Sequence, residues 1–348
     1  MLPSQESQAQ ILINCPQCGG DIGFLEESRE IRCEFCGTSL LVAGRDGILR
    51  YRLPLHLQNP TEAQAAALEY LRDRGRPFAE PGKTFLFYAP FWRLQGQVYR
   101  WVFGAKFMKV ETEEGMPPPL EKMKILMTRL MDHTLPGFGN LDLGVGSLGI
   151  RSQALQLRPF NPGKEDRHDP FLPLDIPLAQ AEKEAERLSD IFFEAEDLQA
   201  EVALQSFVGK VFSVVYLPVW LVECRLSQGG MTVLVDGLSR KPIRSLPDDA
   251  NILSKLKRDE NDAVAEFSRL RFLPLKCPNC GWDFSFQPFN LLHFCMTCRR
   301  LWRLQGNELV ETGYQVVTPL QGGGGEERTW IPFWRCRGVL ESEGIRLT

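Results

Sequence analysis

Eight of the ten cysteines in this chain fall into Cys-x-x-Cys pairs: Cys15/Cys18 and Cys33/Cys36 toward one end, Cys277/Cys280 and Cys295/Cys298 toward the other. Within each unit fourteen residues separate the two pairs. Four thiolates are the ligand set that a tetrahedral zinc ion takes in a structural site, and Cys-Pro-x-Cys-Gly supplies two of them from one tight turn whose backbone amides point at the sulfurs. A disulfide framework is disfavoured in a chain without an export signal, and a thioredoxin-like redox pair has no use for a second Cys-x-x-Cys at matched spacing. The spacing therefore predicts two structural zinc ions, one held by Cys15, Cys18, Cys33 and Cys36, the other by Cys277, Cys280, Cys295 and Cys298. One turn departs from the rest. Arg299 stands where Gly19, Gly37 and Gly281 follow the other pairs, which predicts a strained turn or an outward-pointing donor. His293 lies outside the paired spacing and reads as a hairpin side chain in preference to a replacement for Cys295.

Other reactive groupings are sparse. His56, His133, His168 and His293 lie far apart, no His-Glu-x-x-His occurs, and Ser147 lacks the glycine two positions earlier that a nucleophile elbow needs. "GVGSLG" (144–149) has the letters of a dinucleotide fingerprint without the strand-helix-strand unit around it. "PGKT" (81–84) has the letters of a phosphate loop, but Pro77 occupies the leading glycine position and a strand, not a helix, is expected to follow. Cys224 and Cys336 sit in apolar strands and read as buried, inert thiols. No catalytic residue is assigned, and the expectation is a protein that is not an enzyme.

The cysteine turns need hairpins to hold them. After Cys18, Ile22 and Phe24 precede a polar "EES" and Ile31; after Cys280, Trp282, Phe284 and Phe286 alternate. Each unit resembles a zinc ribbon of the rubredoxin-like or transcription-factor type, over residues 12–50 and 274–312. That resemblance implies a structural metal and a platform for protein or nucleic-acid contacts. The paired ribbons also look similar to those of the primosomal helicase, but no motor motif accompanies them.

The body between the ribbons repeats an aromatic-x-Pro-x-Trp core: "YAPFW" (88–92), "YLPVW" (216–220) and "WIPFW" (330–334). At a strand period of two, Tyr88, Pro90 and Trp92 share one face, as do Tyr216, Pro218 and Trp220, and Trp330, Pro332 and Trp334. Phe91, Val219 and Phe333 lie opposite, so both faces should be buried. Proline cannot donate to a ladder, which places each motif at a sheet edge, a bulge or the mouth of a strand. "LPLHL" (53–57) precedes a helix opened by Thr61 and Gln64 as a capping box, with Ala67, Leu68 and Leu71 inward; "LPLDI" (172–176) precedes one using Leu178, Ala181, Ala185 and Leu188. Further helices are expected at 119–132 (Met123, Leu126, Leu130) and at 247–267 (Ile252, Leu256, Ala263, Phe267).

This pattern predicts an α+β fold, with a duplicated strand-helix-strand module forming mixed or antiparallel sheet and two small all-β ribbons. The expected boundaries are 1–47 (first ribbon), 48–160 and 161–270 (the two modules), 271–312 (second ribbon) and 313–348 (terminal strands packing on the body). The whole chain resembles a group of bacterial proteins that couple a zinc ribbon to tyrosine-x-proline-phenylalanine-tryptophan strands. Some members are associated with membrane-stress systems containing phage-shock-protein-A-like components, and those carry membrane segments. Here the longest apolar stretch, "VFSVVYLPVWLV" (211–222), is shorter than the roughly 18–20 residues of a bilayer span, so a soluble cytoplasmic protein with at most an indirect membrane association is expected.

Net charge is −4 with neutral thiols and about −8 once two tetrathiolate zinc sites form, which argues against wholesale binding to phosphate backbones. The distribution is uneven. Residues 1–47 carry Arg29, Arg32 and Arg45 against seven carboxylates, whereas 271–310 carry Arg271, Lys276, Arg299, Arg300 and Arg303 against Asp283 and Glu308. The expected function is a non-enzymatic adaptor whose two ribbons offer separate docking surfaces to protein partners. One alternative is nucleic-acid binding through the second ribbon, where Arg299, Arg300 and Arg303 accompany Trp282 and Trp302. The other is an enzyme with a site assembled between the modules.

Overall fold

A computed structural model of the chain describes residues 10–107, 120–139, 141–149, 156–161, 169–191, 199–247, 252–257, 266–317, 333, 340–342 and 345–347. Met1–Thr312 form one compact unit. It opens with β1 (Gln10–Asn14) paired to β2 (Asp21–Leu25) and β3 (Glu30–Arg32) paired to β4 (Ser39–Ala43), both antiparallel. There follow β5 (Leu49–Arg52), α1 (Pro60–Arg72), the long strands β6 (Glu80–Phe107) and β7 (Leu120–Pro136), then β8 (Gln156–Pro159), α2 (Leu178–Ile191) and a third long strand, β9 (Gln199–Arg225). β10 (Gly230–Asp236), β11 (Pro242–Pro247), one helical turn α3 (Ile252–Lys255) and β12 (Arg271–Pro274) lead to the second cysteine unit, with β13 (Leu292–Phe294), β14 (Leu301–Gln305) and β15 (Glu308–Thr312). In the second unit, Gly313–Thr348, β16 (Leu340–Ser342) and β17 (Ile345–Leu347) form an antiparallel hairpin. The third Pro-Trp motif (Trp330, Pro332, Trp334) and Cys336 lie outside the described residues.

The described residues are mostly β, with 49% in strand and 12% in helix. The helix expected at 119–132 is instead β7, antiparallel to β6 from Phe91↔Pro136 to Phe107↔Leu120. Helical spacing there accounts for Met123, Leu126 and Leu130 but leaves Ile125, Met127 and Met131 without a place. As a strand, Met127 and Met131 turn toward α2 while Leu126 and Leu130 face outward. Of the helix expected at 247–267, the described residues contain the turn α3, after which Lys257 bridges to Phe171 and Phe267 to Ile48. Among the described residues no helix is long and apolar enough to cross a membrane.

β6 and β9 pair antiparallel through the heart of the body, and both faces of their junction are buried. One face sets Phe87, Ala89, Phe91, Leu217 and Val219 against Ile11, Ile22, Phe24 and Val42 of the first cysteine unit. The other sets Tyr88, Trp92, Tyr216 and Trp220 against Ala63, Ala67 and Leu71 of α1. The Pro-Trp motifs meet directly, Tyr88 opposite Pro218 and Pro90 opposite Tyr216. Both strands are central, so the prolines need a different account from a sheet edge. Along one side of β9, pairing passes from β5, which ends at Tyr216, to β10, which begins at Val219. Along one side of β6 it passes from the bridge at Phe171 to β7, which begins opposite Phe91. Each proline falls at the changeover, where an amide hydrogen would have no ladder partner.

Hydrogen bonds around this junction are reciprocal. Leu53 N donates to Tyr216 O and Leu172 N to Tyr88 O. Leu57 N donates to Gly237 O while Gly237 N donates to Pro218 O; Ile176 N donates to Gly137 O while Gly137 N donates to Pro90 O. The Trp220 indole donates to Leu57 O at 2.7 Å and the Trp92 indole to Ile176 O at 2.8 Å. Each "LPL" segment thus braces the Pro-Trp strand that follows the other one. Backbone closes in on both glycines: a Cβ at Gly237 would lie 2.9 Å from Pro218 O, and one at Gly137 3.0 Å from Pro90 O.

The N-terminus of α1 differs from the expected capping box. Asn59 is the cap, accepting from Thr61 N through its side chain, and Pro60 opens the first turn. Gln64 is occupied elsewhere, donating to Thr84 Oγ1 across to β6. "GVGSLG" is an irregular loop tied by Ser147 and Leu148 N to the Thr134 hydroxyl, and "PGKT" is a bulged start of β6 beside Glu223.

Candidate metal centres

Four turns build the two cysteine clusters, and all share one backbone scheme. Cys15 N donates to Gly20 O and Gly19 N to Cys15 O; the same pair joins Cys33 with Thr38 and Gly37, Cys277 with Trp282 and Gly281, and Cys295 with Arg300 and Arg299. The residue after each pair must take a left-handed conformation to close this loop, with φ of 76°, 72° and 74° at Gly19, Gly37 and Gly281. Arg299 adopts the same conformation at φ 57°, against the preference of a residue with a Cβ.

The turns converge in pairs. Cys15 Sγ lies 3.8 Å from Cys36 Sγ and Cys18 Sγ 3.7 Å from Cys33 Sγ; in the second cluster Cys277 lies 3.6 Å from Cys298 and Cys280 3.5 Å from Cys295. Within each cluster all four sulfurs lie within 4.8 Å of one another. A tetrahedron with metal–sulfur bonds of about 2.3 Å has edges of about 3.8 Å, so the donor sets fit a four-coordinate ion with no open position. Each cluster has two buried cysteines on the protein side, Cys15 and Cys33 or Cys277 and Cys295.

As free thiols the cysteines are unequal. The Thr38 hydroxyl, 3.3 Å from Cys36 Sγ, and the Thr38 amide bring that thiol down to about 6. The backbone at Cys298 does the same for Cys295, also to about 6. At Cys18 the Gly20 amide favours the thiolate, but desolvation and the neighbouring sulfurs outweigh it and push the thiol up to about 12. Cys280, with the Trp282 amide in that place, is pushed up to about 12 for the same reasons.

Neither cluster stands alone on a tether. β1 joins the body sheet parallel to β8, and the β2–β3 turn reaches Arg93 on β6. That guanidinium is 0% exposed, bidentate to Asp132 at 2.8 and 2.7 Å and bonded to Glu26 at 2.8 Å. Burial works against its charge, but the two carboxylates outweigh it and hold it ionised. The second cluster docks on the first, because β12 pairs with β4 and Leu41 enters the small core of Leu275, Phe284 and Trp302. Glu30, buried in the first unit, lies 3.0 Å from His293 Nδ1 and accepts from Gln287 N at 2.6 Å. His293 is thus a hairpin side chain facing the other cysteine unit. Spacing carries no signal for these contacts, since Glu26, Glu30, Arg93 and Asp132 read as ordinary surface charges.

The residues of the nucleic-acid alternative differ in exposure and in partners. Trp302 is buried, Arg300 pairs with Glu311 at 2.8 Å and Arg303 donates to Gln305, while Trp282 is 61% exposed. Met296, inside the last cysteine turn, is 74% exposed, and Phe35, in the corresponding turn of the first unit, 71%. Cys224 is buried in β9, where burial pushes its thiol up to about 11. No protein-family model, curated protein or solved structure matches the chain.

Proposed function

We propose that this protein is a zinc-binding adaptor, in which two structural four-cysteine ribbons, braced against each other and against a β-rich body, present a docking surface to a protein partner. The observation that carries this reading is the apolar display around the second cluster. Trp282 and Met296 flank the metal turns yet stay outside the core of Phe284 and Trp302, while the closed donor sets leave no position for a substrate. Exposed aromatic and methionine side chains on a rigid turn are what protein interfaces use as anchors. Since the clusters share β4–β12 and the Glu30–His293 contact, the reading is of one composite platform in place of two separate ones. The reciprocal bracing of the Pro-Trp strands supports descent of the body from a duplicated strand-helix-strand module.

The test is affinity capture by the zinc-loaded full chain after nuclease treatment, comparing wild type with Trp282→Ala/Met296→Ala. A protein retained by the wild type and lost by the double variant supports the adaptor. Captured material that nuclease removes, with affinity falling steeply with salt and lost in Arg299→Glu/Arg300→Glu, replaces it with the nucleic-acid reading.

A further inference from the structure

The body face that the first cysteine unit covers runs on past Arg93, where among the described residues no element covers it. There β7, β6 and β9 form a three-stranded arm, and α2 packs one side of it with Ala185 and Leu188 against Leu94, Val98, Met131 and Phe207. On the other side, strand register sets side chains in rows across the arm: Leu126, Trp101, Leu204; Thr128, Tyr99, Ser206; Leu130, Gln97, Val208. None of these nine residues is charged. Trp101, Leu126, Leu130, Leu204, Val208 and Val211 are 44% to 58% exposed. Their side chains present on the order of 500 Å² of apolar surface, the upper end of what a monomer shows as its largest patch. An apolar sheet face is normally buried against another element, and no described element supplies that layer here.

We propose that a second copy of this chain supplies that layer, arm against arm, about a two-fold axis that crosses the strands at the Tyr99 row. Two features select a second copy over another partner. Turning the arm about that axis lays Leu130, Gln97 and Val208 over the partner subunit's Leu126, Trp101 and Leu204, so the largest side chain meets an amide and branched aliphatics meet one another. The charges at the ends of the patch also match: Lys124 lies in the Phe103 row and Asp132 in the Gln95 row, both on β7, and the same rotation sets each Lys124 over Asp132 of the partner subunit, whose cluster with one guanidinium (Arg93) and a second carboxylate (Glu26) keeps one negative charge in excess. The pair buries on the order of 1,000 Å² in total, the lower bound for a specific interface and the size of a reversible one.

Sedimentation velocity of the metal-loaded full chain over about a hundredfold range of concentration tests this. The expected result is a reversible dimer, with Leu126→Glu/Leu204→Glu raising the dissociation constant at least ~100-fold while circular dichroism and metal content stay unchanged. The axis is checked separately by Thr128→Cys, which sets two thiols face to face: oxidised glutathione should link that variant, but not the wild type, into a covalent dimer. A monomer at every concentration overturns the proposal, as does a dimer indifferent to the glutamates. A dimer that the glutamates disrupt but Thr128→Cys fails to link overturns the two-fold pairing.

Discussion

At the residue scale, Arg299 shows how much of a metal turn is backbone conformation. Its three counterparts are glycines whose Cβ positions meet nothing within 4 Å, so the demand for glycine there is torsional and not steric. Arg299→Gly should therefore stabilise the second cluster by about 1 kcal/mol, read as slower metal loss to a chelator; Gly281→Ala should do the reverse by a similar amount. No change in either variant would contradict the strain argument. The thiols set a pH dependence. Cys18 and Cys280, at about 12, keep their protons through neutral pH and release them only to a metal, so uptake should liberate at least one proton per cluster and affinity should rise with pH. Below about 6, protons also return to Cys36 and Cys295, and metal loss should steepen. Chelator competition across pH measures both; a flat profile above pH 6 would exclude thiol ligation of this kind.

At the scale of elements, the Pro-Trp strands are held by hydrogen bonds that cross from one "LPL" segment to the opposite strand. Trp92→Phe and Trp220→Phe keep most of the ring but strand the carbonyls of Ile176 and Leu57, and each should cost about 1–2 kcal/mol in chemical denaturation. Less than about 0.5 kcal/mol in both would show the indole bonds to be incidental. The contact between the first cysteine unit and the body depends on Arg93. Arg93→Met leaves Asp132 and Glu26 without their cation and should destabilise by about 3–5 kcal/mol, with Glu26→Gln milder. Strand alternation and the apolar stripes of α1 and α2 were legible because they are local. β7 was not, since "KILMTRLM" has apolar residues at both helical and strand spacing, and only its pairing with β6 decides between them. The Asn59 cap was masked by a better-looking box two residues later, and the roles of Pro90 and Pro218 depend on which strands end beside them.

At the scale of the molecule, the cysteine clusters were the most legible feature, because matched Cys-x-x-Cys pairs specify their own turns and need little from the rest of the chain. Their surroundings were not legible. Glu30 and His293 are 263 positions apart and meet in the fold, joining what charge and spacing alone present as two independent units, one acidic and one basic. This coupling predicts that the two cysteine units fail together. Cys33→Ser, which removes a buried ligand of the first cluster, should also lower the thermal stability of the second and increase its loss of metal; an unaffected second cluster would mean that the shared strands carry no coupling. The measurement that bears most directly on the account is native mass spectrometry of the chain purified without added metal. Two zinc ions per chain are predicted, with the eight clustered thiols protected from alkylation until a chelator is added. One ion or none, with those thiols free or oxidised, would contradict it.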